Sequence, residues 1–254
     1  MIDLGEPLGL FLLALAVGVY GSIIGAGGGF LVVSGLIVFF DMKGAVAVGT
    51  SSVTTFAIQS VGAYTYDRKG VVDRPTASWF VLASMPAALF SAAFLASRIP
   101  QRAFEMLVGV LLLTLAAFVI LIPSPASTTG ADLVPRRPQL LGAGAAMGTL
   151  SGALGVGSGL IIVPLLSWVQ KLSTHRAAAT TSLIGAFSGA AAVAGHTIAG
   201  NPVWAATPFL VAGAVIGGRT GATMAGRLSR RTVLLLLSSG LTGAGLPLVY
   251  RSLV

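Results

Sequence analysis

The chain has 254 residues, of which 55% are hydrophobic and only 9% are charged, and its mean hydropathy is +0.94. Because so little polar surface cannot cover a water-soluble globule, this composition excludes that class and indicates an integral membrane protein. The net charge of +8 does not indicate nucleic-acid binding, since the basic residues lie in short loops between apolar stretches, and the absence of cysteine excludes thiol catalysis and Cys-ligated metals.

Ten apolar stretches, separated by charged or Pro/Gly-containing loops, predict ten helical elements. They lie at 8–24, 29–40, 47–66, 76–97, 103–122, 139–154, 159–170, 177–199, 203–225 and 232–250. Most are near the ~20 residues that cross a bilayer. Two of them, 29–40 and 159–170, span only roughly 18 Å as helices, about half of the hydrocarbon core. Each follows a glycine cluster, so we predict a half-length or broken helix after each cluster, as a re-entrant hairpin or as an unequal crossing.

The distribution of basic residues predicts the orientation of the chain. One side holds Arg68, Lys69, Arg74, Arg136, Arg137, Lys171, Arg176, Arg227, Arg230 and Arg231, and the other holds Lys43, Arg98, Arg102 and Arg251. The positive-inside rule makes the first side cytoplasmic. We therefore expect a multi-pass membrane protein with both termini outside.

The chain resembles itself after a shift of 130 residues. This shift places "GAGGGFLVVSGL" (25–36) on "GVGSGLIIVPLL" (155–166), and it pairs Gly18 with Gly148, Thr50 with Thr180 and Ser52 with Ser182. Five elements per half is an odd number, so the second copy enters from the opposite face, as in many secondary transporters. We predict an all-α fold of two inverted repeats, 1–122 and 139–254, joined by the loop 123–138.

The broken helices indicate an anion site. A helix that begins inside the membrane presents unpaired N–H groups and the positive end of its dipole at that depth, where they suit an anion or a wet cavity. Packing of small residues is the alternative reading of the glycines. The predicted substrate-binding residues are the following: Gly27, Gly28, Gly29, Phe30, Thr50, Ser51, Ser52, Gln59, Gly157, Ser158, Gly159, Thr180, Thr181, Ser182 and Arg219.

Two further ionisable residues bear on the predicted mechanism. Arg219 is the only basic residue well inside a span, which marks it as a candidate substrate ligand, although it could also extend to the nearby interface. His196 is a candidate proton relay, with a hydrogen-bonded structural histidine as the alternative. All seven acidic residues lie in loops or at span ends, so no buried carboxylate for ion coupling is apparent.

Enzyme motifs are incomplete in this chain. "GAGGGFL" lacks the Gly-Lys-Ser/Thr ending of a phosphate-binding loop, and no Gly-x-Ser-x-Gly elbow surrounds Ser151 or Ser158. A hydrolase that uses Ser151 and His196 would lack a third positioned group. We expect neither a catalytic residue nor a cofactor nor a metal. The expected partners are a small anion and the lipid bilayer, with a homo-oligomer left open.

The Gly-x-Gly-Gly-Gly run before "GTSS", its echo "GVGSG" before "TTS", and the Arg-Leu-x-Arg-Arg loop before the last span carry a family resemblance. Over nearly its whole length the chain resembles the sulfite exporter TauE/SafE family of bacterial membrane transporters. The resemblance implies a carrier of the bacterial inner membrane that exports small sulfur-containing anions such as sulfite, sulfoacetate or other sulfonates. We expect this transport to proceed by alternating access. The second repeat carries Ser158 where the first has Gly28, so the two half-helices are not expected to contribute equally. A carrier or channel for another solute, and a membrane scaffold without transport activity, are the alternatives.

Overall fold

The computed structural model describes residues 5–24, 27–121, 137–155, 157, 159–169, 172–225 and 230–253, and these residues form helices and short connections without strands. The helices are α1 (Gly5–Ile24), α2 (Gly29–Phe40), α3 (Gly44–Arg68), α4 (Arg74–Phe90), α5 (Gln101–Leu121), α6 (Arg137–Leu154), α7 (Gly159–Val169), α8 (Thr174–Ile198), α9 (Thr207–Ala225) and α10 (Arg230–Leu253). A π-helical turn, Ser91–Leu95, and a 3₁₀ turn, Ala96–Arg98, extend α4. The all-α fold predicted from the sequence is confirmed.

Four of the described helical segments are long and apolar enough to cross a membrane: Glu6–Ile24, Arg74–Arg98, Gln101–Val119 and His175–Ile198. The helix Gly29–Phe40 is apolar but shorter, with 12 residues. The other short helix, Gly159–Val169, has 11. Short helices therefore follow both glycine clusters, as predicted. Most of the predicted loop between the repeats (123–138), namely residues 123–136, lies outside the described residues, and α6 begins at Arg137, two residues before the predicted span.

The helices of the two halves pack on each other rather than separately. Helix α1 packs on α9, α6 on α4, α3 on α8 and α5 on α10. Close approach depends on glycine. A Cβ on Gly18 would lie 2.8 Å from the carbonyl oxygen of Ala214, and one on Gly148 would overlap the carbonyl oxygen of Ser84. Gly18 and Gly148 are 130 residues apart, as are Ser84 and Ala214, so each half makes the equivalent contact with the other.

Two threonine hydroxyl groups, near the N-terminal ends of α3 and α8, form a similar pair of equivalent contacts between the halves. The backbone N–H of Val203 donates to Thr50 Oγ1 at 3.0 Å, and that of Asp73 donates to Thr180 Oγ1 at 3.0 Å. The four residues are again related by 130 positions. Each long central helix thus holds the connection that precedes a helix of the other half. The inverted orientation of the halves across a membrane, and the division into two repeats, stay predictions.

The C-terminal end of the half-helix α2 is held by Arg251 of α10. Its guanidinium donates from Nη1 to the carbonyl oxygen of Ile37 at 3.1 Å and pairs through Nη2 with Asp41. Its Nε lies 3.8 Å from Glu105 Oε1, and Glu105 is 3% exposed. A cation at a helix C-terminus complements the helix dipole. Arg251 therefore stabilises α2 and a buried carboxylate together.

We expect Arg251→Gln to lower stability by roughly 1–3 kcal/mol, because Glu105 and the Ile37 carbonyl both lose their cationic partner. The matched control is Arg74→Gln. Arg74 pairs with Asp67 at 2.9 Å, but the two side chains are 71% and 39% exposed, so the loss should stay below about 1 kcal/mol. Thermal unfolding in detergent measures both variants. Equal melting temperatures would contradict the assigned role of Arg251.

Candidate functional site

The first glycine cluster turns the chain sharply into α2. Gly27 and Gly28 have φ angles of 72° and 69°, in the left-handed region that side chains disfavour, and Gly28 is the N-cap of α2. The N–H groups of Leu31 and Val32 donate to the Gly28 carbonyl oxygen at 3.0 and 3.2 Å. The N–H groups before Leu31 come too early to find a carbonyl within the helix. They mark the positive end of α2, inside the protein.

The second cluster lies against the first. A Cβ on Gly29 would be 3.1 Å from the carbonyl oxygen of Gly155, and one on Gly155 would be 2.9 Å from Val33 of α2. Gly155 and Gly157 also have positive φ angles, 65° and 81°, and Gly159 begins α7. Ser158 lies outside the described residues. The structure thus brings the two chain breaks together.

The amide of Gln59 is enclosed between glycines from both halves. A Cβ on Gly27 would be 3.0 Å from Gln59 Cδ, and one on Gly185 of α8 would overlap Gln59 Nε2. Gln59 is 3% exposed, and its Nε2 has no hydrogen-bond partner among the described residues. A buried amide donor without a partner is costly, about 1–3 kcal/mol. The geometry therefore presents an unused donor beside the start of α2.

Thr55, one turn before Gln59 on α3, presents a second unused hydroxyl. A Cβ on Gly29 would lie 2.8 Å from Thr55 Oγ1, and this oxygen also has no partner within the described chain. The residues related to Thr55 and Gln59 by 130 positions are Gly185 and Gly189. The first half thus supplies both polar side chains, and Gly185 of the second half leaves room for Gln59.

A cavity of about 460 Å³ opens beside this cluster, between α1, α3 and α9. It is lined by Gly21, Ser22, Gly27, Ile58, Gln59, Val61, Gly62, Thr65, Tyr66, Lys69, Ser182, Gly218, Arg219 and Thr223. Four of the predicted site residues are therefore brought together: Gly27, Gln59, Ser182 and Arg219. The volume lies in the usual range of small-molecule sites.

The charge of the cavity comes from two exposed cations. Lys69 and Arg219 line it, and the described lining includes no carboxylate. Lys69 follows the last residue of α3, ten residues beyond Gln59, which places the two roughly 15 Å apart along the helix axis. The cavity therefore runs from basic side chains toward the buried amide. Positive charge and buried N–H groups are features that can interact favourably with an anion.

The other hydroxyl groups predicted to bind the substrate form hydrogen bonds with backbone groups. Thr50 and Thr180 accept the hydrogen bonds from the opposite half described above. Ser51 Oγ donates to the Val48 carbonyl at 3.0 Å, and Ser52 Oγ to that of Gly49 at 2.7 Å. Ser182 Oγ donates to Ala178 O at 3.0 Å, yet it lines the cavity and can still accept.

The remaining predicted residues do not reach the cavity lining. The Phe30 side chain is fully buried in the apolar core, and Thr181 Oγ1 is buried without a partner in the described chain. His196 is fully buried, and its Nδ1 lies 3.1 Å from Asn201 Nδ2. It follows Ser182 by 14 residues, roughly 21 Å along α8. The structure therefore does not place the candidate proton relay beside the cavity.

Sequence reasoning missed Lys69 and Tyr66 as lining residues. Lys69 was counted only among the basic residues of the cytoplasmic side. A helical pattern signals both positions, since Ile58, Gly62, Thr65, Tyr66 and Lys69 recur at three- and four-residue spacing on one face of α3. That spacing identifies a face of the helix, but only the packing of α9 shows that this face lines a cavity.

Comparisons with known proteins agree with the architecture. The family model described as "Sulfite exporter TauE/SafE" matches residues 10–248. The chain is 24% identical to the probable membrane transporter protein YunE of Bacillus subtilis, over 96% of this chain and 97% of that protein. It is also 24% identical to the probable membrane transporter protein y4hK of Sinorhizobium fredii, over 97% of this chain and 98% of that protein.

A third relative is longer than this chain. The probable membrane transporter protein MamO of Magnetospirillum gryphiswaldense is 26% identical over 87% of this chain, but the match covers only 41% of MamO. No solved structure matches the chain significantly. The relatives that match end to end are thus membrane transporters by name.

Proposed function

Since this chain belongs to the sulfite exporter TauE/SafE family of membrane transporters, we propose that it exports a small sulfur-containing anion such as sulfite, sulfoacetate or another sulfonate. Transport proceeds by alternating access, with the anion held where the two glycine clusters meet. The equivalent contacts exchanged by the two halves support a pair of repeats that move against each other.

The observation that carries this proposal is the donor set of the cavity. Gln59 offers a buried, unpartnered N–H group, Gly27 leads into the positive end of α2, and Lys69 and Arg219 supply charge. A sulfonate or sulfite oxygen accepts hydrogen bonds and carries negative charge, so the two cations attract the anion into the cavity and the buried N–H groups beside Gln59 bind it. A cation would find no carboxylate in the described lining.

The orientation that follows from the basic loops suits export. Lys69 and Arg74 belong to the side that the positive-inside rule places in the cytoplasm. The cavity reaches Lys69 and Tyr66, at the end of α3 on this side. In the inner membrane it would then load its anion from the cytoplasm, with both termini outside.

Reconstitution tests the proposal directly. Purified protein in liposomes should carry radiolabelled sulfoacetate or sulfite with saturable kinetics and should show counterflow. Flux of none of these anions would overturn the substrate class. Flux of another solute would indicate a carrier with a different substrate, and non-saturable flux would indicate a channel. Absence of flux together with absence of a ligand-induced thermal shift would favour a scaffold.

The two cations should act on anion capture more than on turnover. We expect Arg219→Met and Lys69→Met each to raise KM about three- to tenfold at low salt while the maximal rate changes little. Both side chains are exposed, so their attraction is screened, and the difference from wild type should shrink at high ionic strength. The assay is initial uptake at several anion concentrations in low and high salt.

Arg102→Met is the matched control for this experiment. Arg102 is exposed at the start of α5, on the side opposite to Lys69 in the predicted orientation, and it does not line the cavity. Its replacement removes one positive charge from the protein as a whole. Kinetics of Arg219→Met equal to those of Arg102→Met would show that Arg219 has no local role.

A further inference from the structure

The open cavity has a counterpart in the other half of the molecule, and the counterpart is filled. The shift of 130 residues carries the cavity lining on α1, α3 and α9 onto α6, α8 and α4. On the open side, a Cβ on Gly218 would be 3.5 Å from Ser22 Oγ, an ordinary contact. The equivalent residues are Ala88 and Gly152, and there a Cβ on Gly152 would lie 2.5 Å from the Ala88 carbonyl oxygen.

Four alanines fill the counterpart of the cavity. Ala88, Ala92, Ala191 and Ala192 form a separate buried cluster, with exposures of 0%, 0%, 8% and 5%. Three of them correspond to residues that line the open cavity: Gly218, Val61 and Gly62. We call these four residues the alanine seal. Three of the four positions therefore line a cavity in one half and are packed together in the other.

Two contacts close the seal along α8. A Cβ on Gly195 would lie 2.5 Å from the carbonyl oxygen of Leu89 and 2.8 Å from Ala92 Cβ. Gly195 and Leu89 correspond to Thr65 and Arg219, which line the open cavity. Positions of α4 and α8 that pack together here therefore correspond to positions of α9 and α3 that line the open cavity.

A polar pair also joins these two helices. Ser84 Oγ and Ser188 Oγ lie 3.0 Å apart, and both residues are buried. Their counterparts, Ala214 and Ile58, cannot form such a bond. This hydrogen bond holds α4 to α8 only on the closed side.

His196 occupies the position that corresponds to Tyr66 of the open cavity. The ring is fully buried, and its Nε2 lies beside the backbone of Gly152 without good hydrogen-bond geometry. A buried polar nitrogen that is poorly hydrogen-bonded is costly in a state that is permanently closed. Opening of the seal would give this nitrogen water or an anion as a partner.

Helix α4 also has an irregular segment at the seal. The π-helical turn at Ser91–Leu95 and the 3₁₀ turn after it follow Pro86, which removes a backbone donor from the helix. The matching part of α9, through Ala225, is regular α-helix. Hydrogen bonds that already depart from the α pattern rearrange at lower cost, so this turn is suited to act as a hinge.

We propose that a second passage, closed in this structure, runs between α4, α6 and α8 to the same anion site. The alanine seal and the Ser84–Ser188 bond close it, the π turn of α4 is its hinge, and His196 lines it when it opens. This inference rests on the proposed transport function, because a carrier needs a path to each face of the membrane. It assigns the closed path to specific residues.

A reversible cross-link across the seal tests the passage. The chain has no cysteine, so Ser84→Cys with Ser188→Cys introduces a single thiol pair at a separation that a disulfide can close. Sulfoacetate is the probe, since sulfite would cleave the disulfide. We expect oxidation to lower sulfoacetate flux in proteoliposomes at least tenfold, dithiothreitol to restore it, and the oxidised protein still to bind sulfoacetate in a thermal-shift assay. The two single variants, which cannot cross-link, should keep their flux after oxidation.

Full flux of the cross-linked protein would overturn the passage. Absence of flux in both the wild type and the reduced variant would instead refute the transport proposal, and a second measurement then tests the passage independently of transport.

Val61→Cys and Ala191→Cys occupy matching positions in the open cavity and in the seal. A membrane-impermeant thiol reagent should label residue 61 from the cytoplasmic face and residue 191, at least tenfold more slowly, from the other face. A residue 191 that reacts only from the cytoplasmic face, or from neither, would refute the second passage.

Discussion

Replacement of Gln59 by leucine is expected to weaken anion binding about 10- to 150-fold while leaving the fold as stable as before, or more so. The first effect follows from the loss of a hydrogen bond to a charged ligand, which contributes about 1.5–3 kcal/mol. The second follows because Gln59 Nε2 is buried and has no hydrogen-bond partner among the described residues. Leucine removes this unsatisfied group and has a similar volume.

The opposite signs of these two effects separate a ligand-binding residue from a structural one. A structural glutamine would lose stability and binding together, whereas a site residue carries strain that the bound anion relieves. The measurements are the melting temperature without ligand and the sulfoacetate concentration that gives half of the maximal thermal shift. Lower melting of the Gln59→Leu variant with unchanged ligand dependence would refute the role of Gln59.

Thr54→Val is the matched control for Gln59→Leu. Thr54 is fully buried on the same helix, and its Oγ1 also lacks a partner among the described residues, but it does not line the cavity. It precedes Gln59 by five residues, about 140° around the helix. The control should gain or keep stability in the same way, with ligand dependence unchanged.

Much of this fold could be predicted from the sequence, because the membrane restricts the choices. Apolar stretches of ~20 residues must be helical to satisfy their backbone groups, so each boundary follows from where charge, proline or glycine returns. The two glycine clusters and the 12-residue stretches after them predicted the half-length helices at Gly29–Phe40 and Gly159–Val169. Pairing of α1 with α9 could not be predicted this way, since hydropathy carries no information on which helices meet.

The candidate site could be predicted only in part, for the same reason. Gly27, Gln59 and Arg219 were predicted from local signals: a chain break, a polar residue inside a span and an isolated cation. The hydroxyl groups of Thr50 and Thr180 gave equally strong local signals, yet they bind the backbone of the opposite half. Recurrence of a residue in both halves indicates that its position is important in each. Whether the residue stabilises the packing of the halves or binds a ligand depends on the contacts between the halves, which the sequence does not reveal.

The last large effect concerns the glycines of α9 that face α1. A Cβ on Gly213, Gly217 or Gly221 would overlap the carbonyl oxygen of Phe11, Leu15 or Val19, respectively. Both series advance by four residues, so the two helices touch backbone to backbone over more than two turns. Membrane helices gain little from burying apolar surface against each other, and such close contact is a main source of their association.

We therefore expect Gly217→Val to destabilise the protein by roughly 3 kcal/mol or more, since the obstructing atom is backbone and cannot turn aside. The α1–α9 pair would have to separate along its length, which also displaces Arg219 from the cavity. Folded yield after detergent extraction and the melting temperature measure this effect.

Gly243→Val is the control, because a Cβ on this α10 glycine would meet no atom within 4 Å. The control should melt at or slightly above the wild-type temperature, as valine has a higher helix propensity than glycine. Equal melting of the two variants would show that α1 and α9 do not depend on this contact.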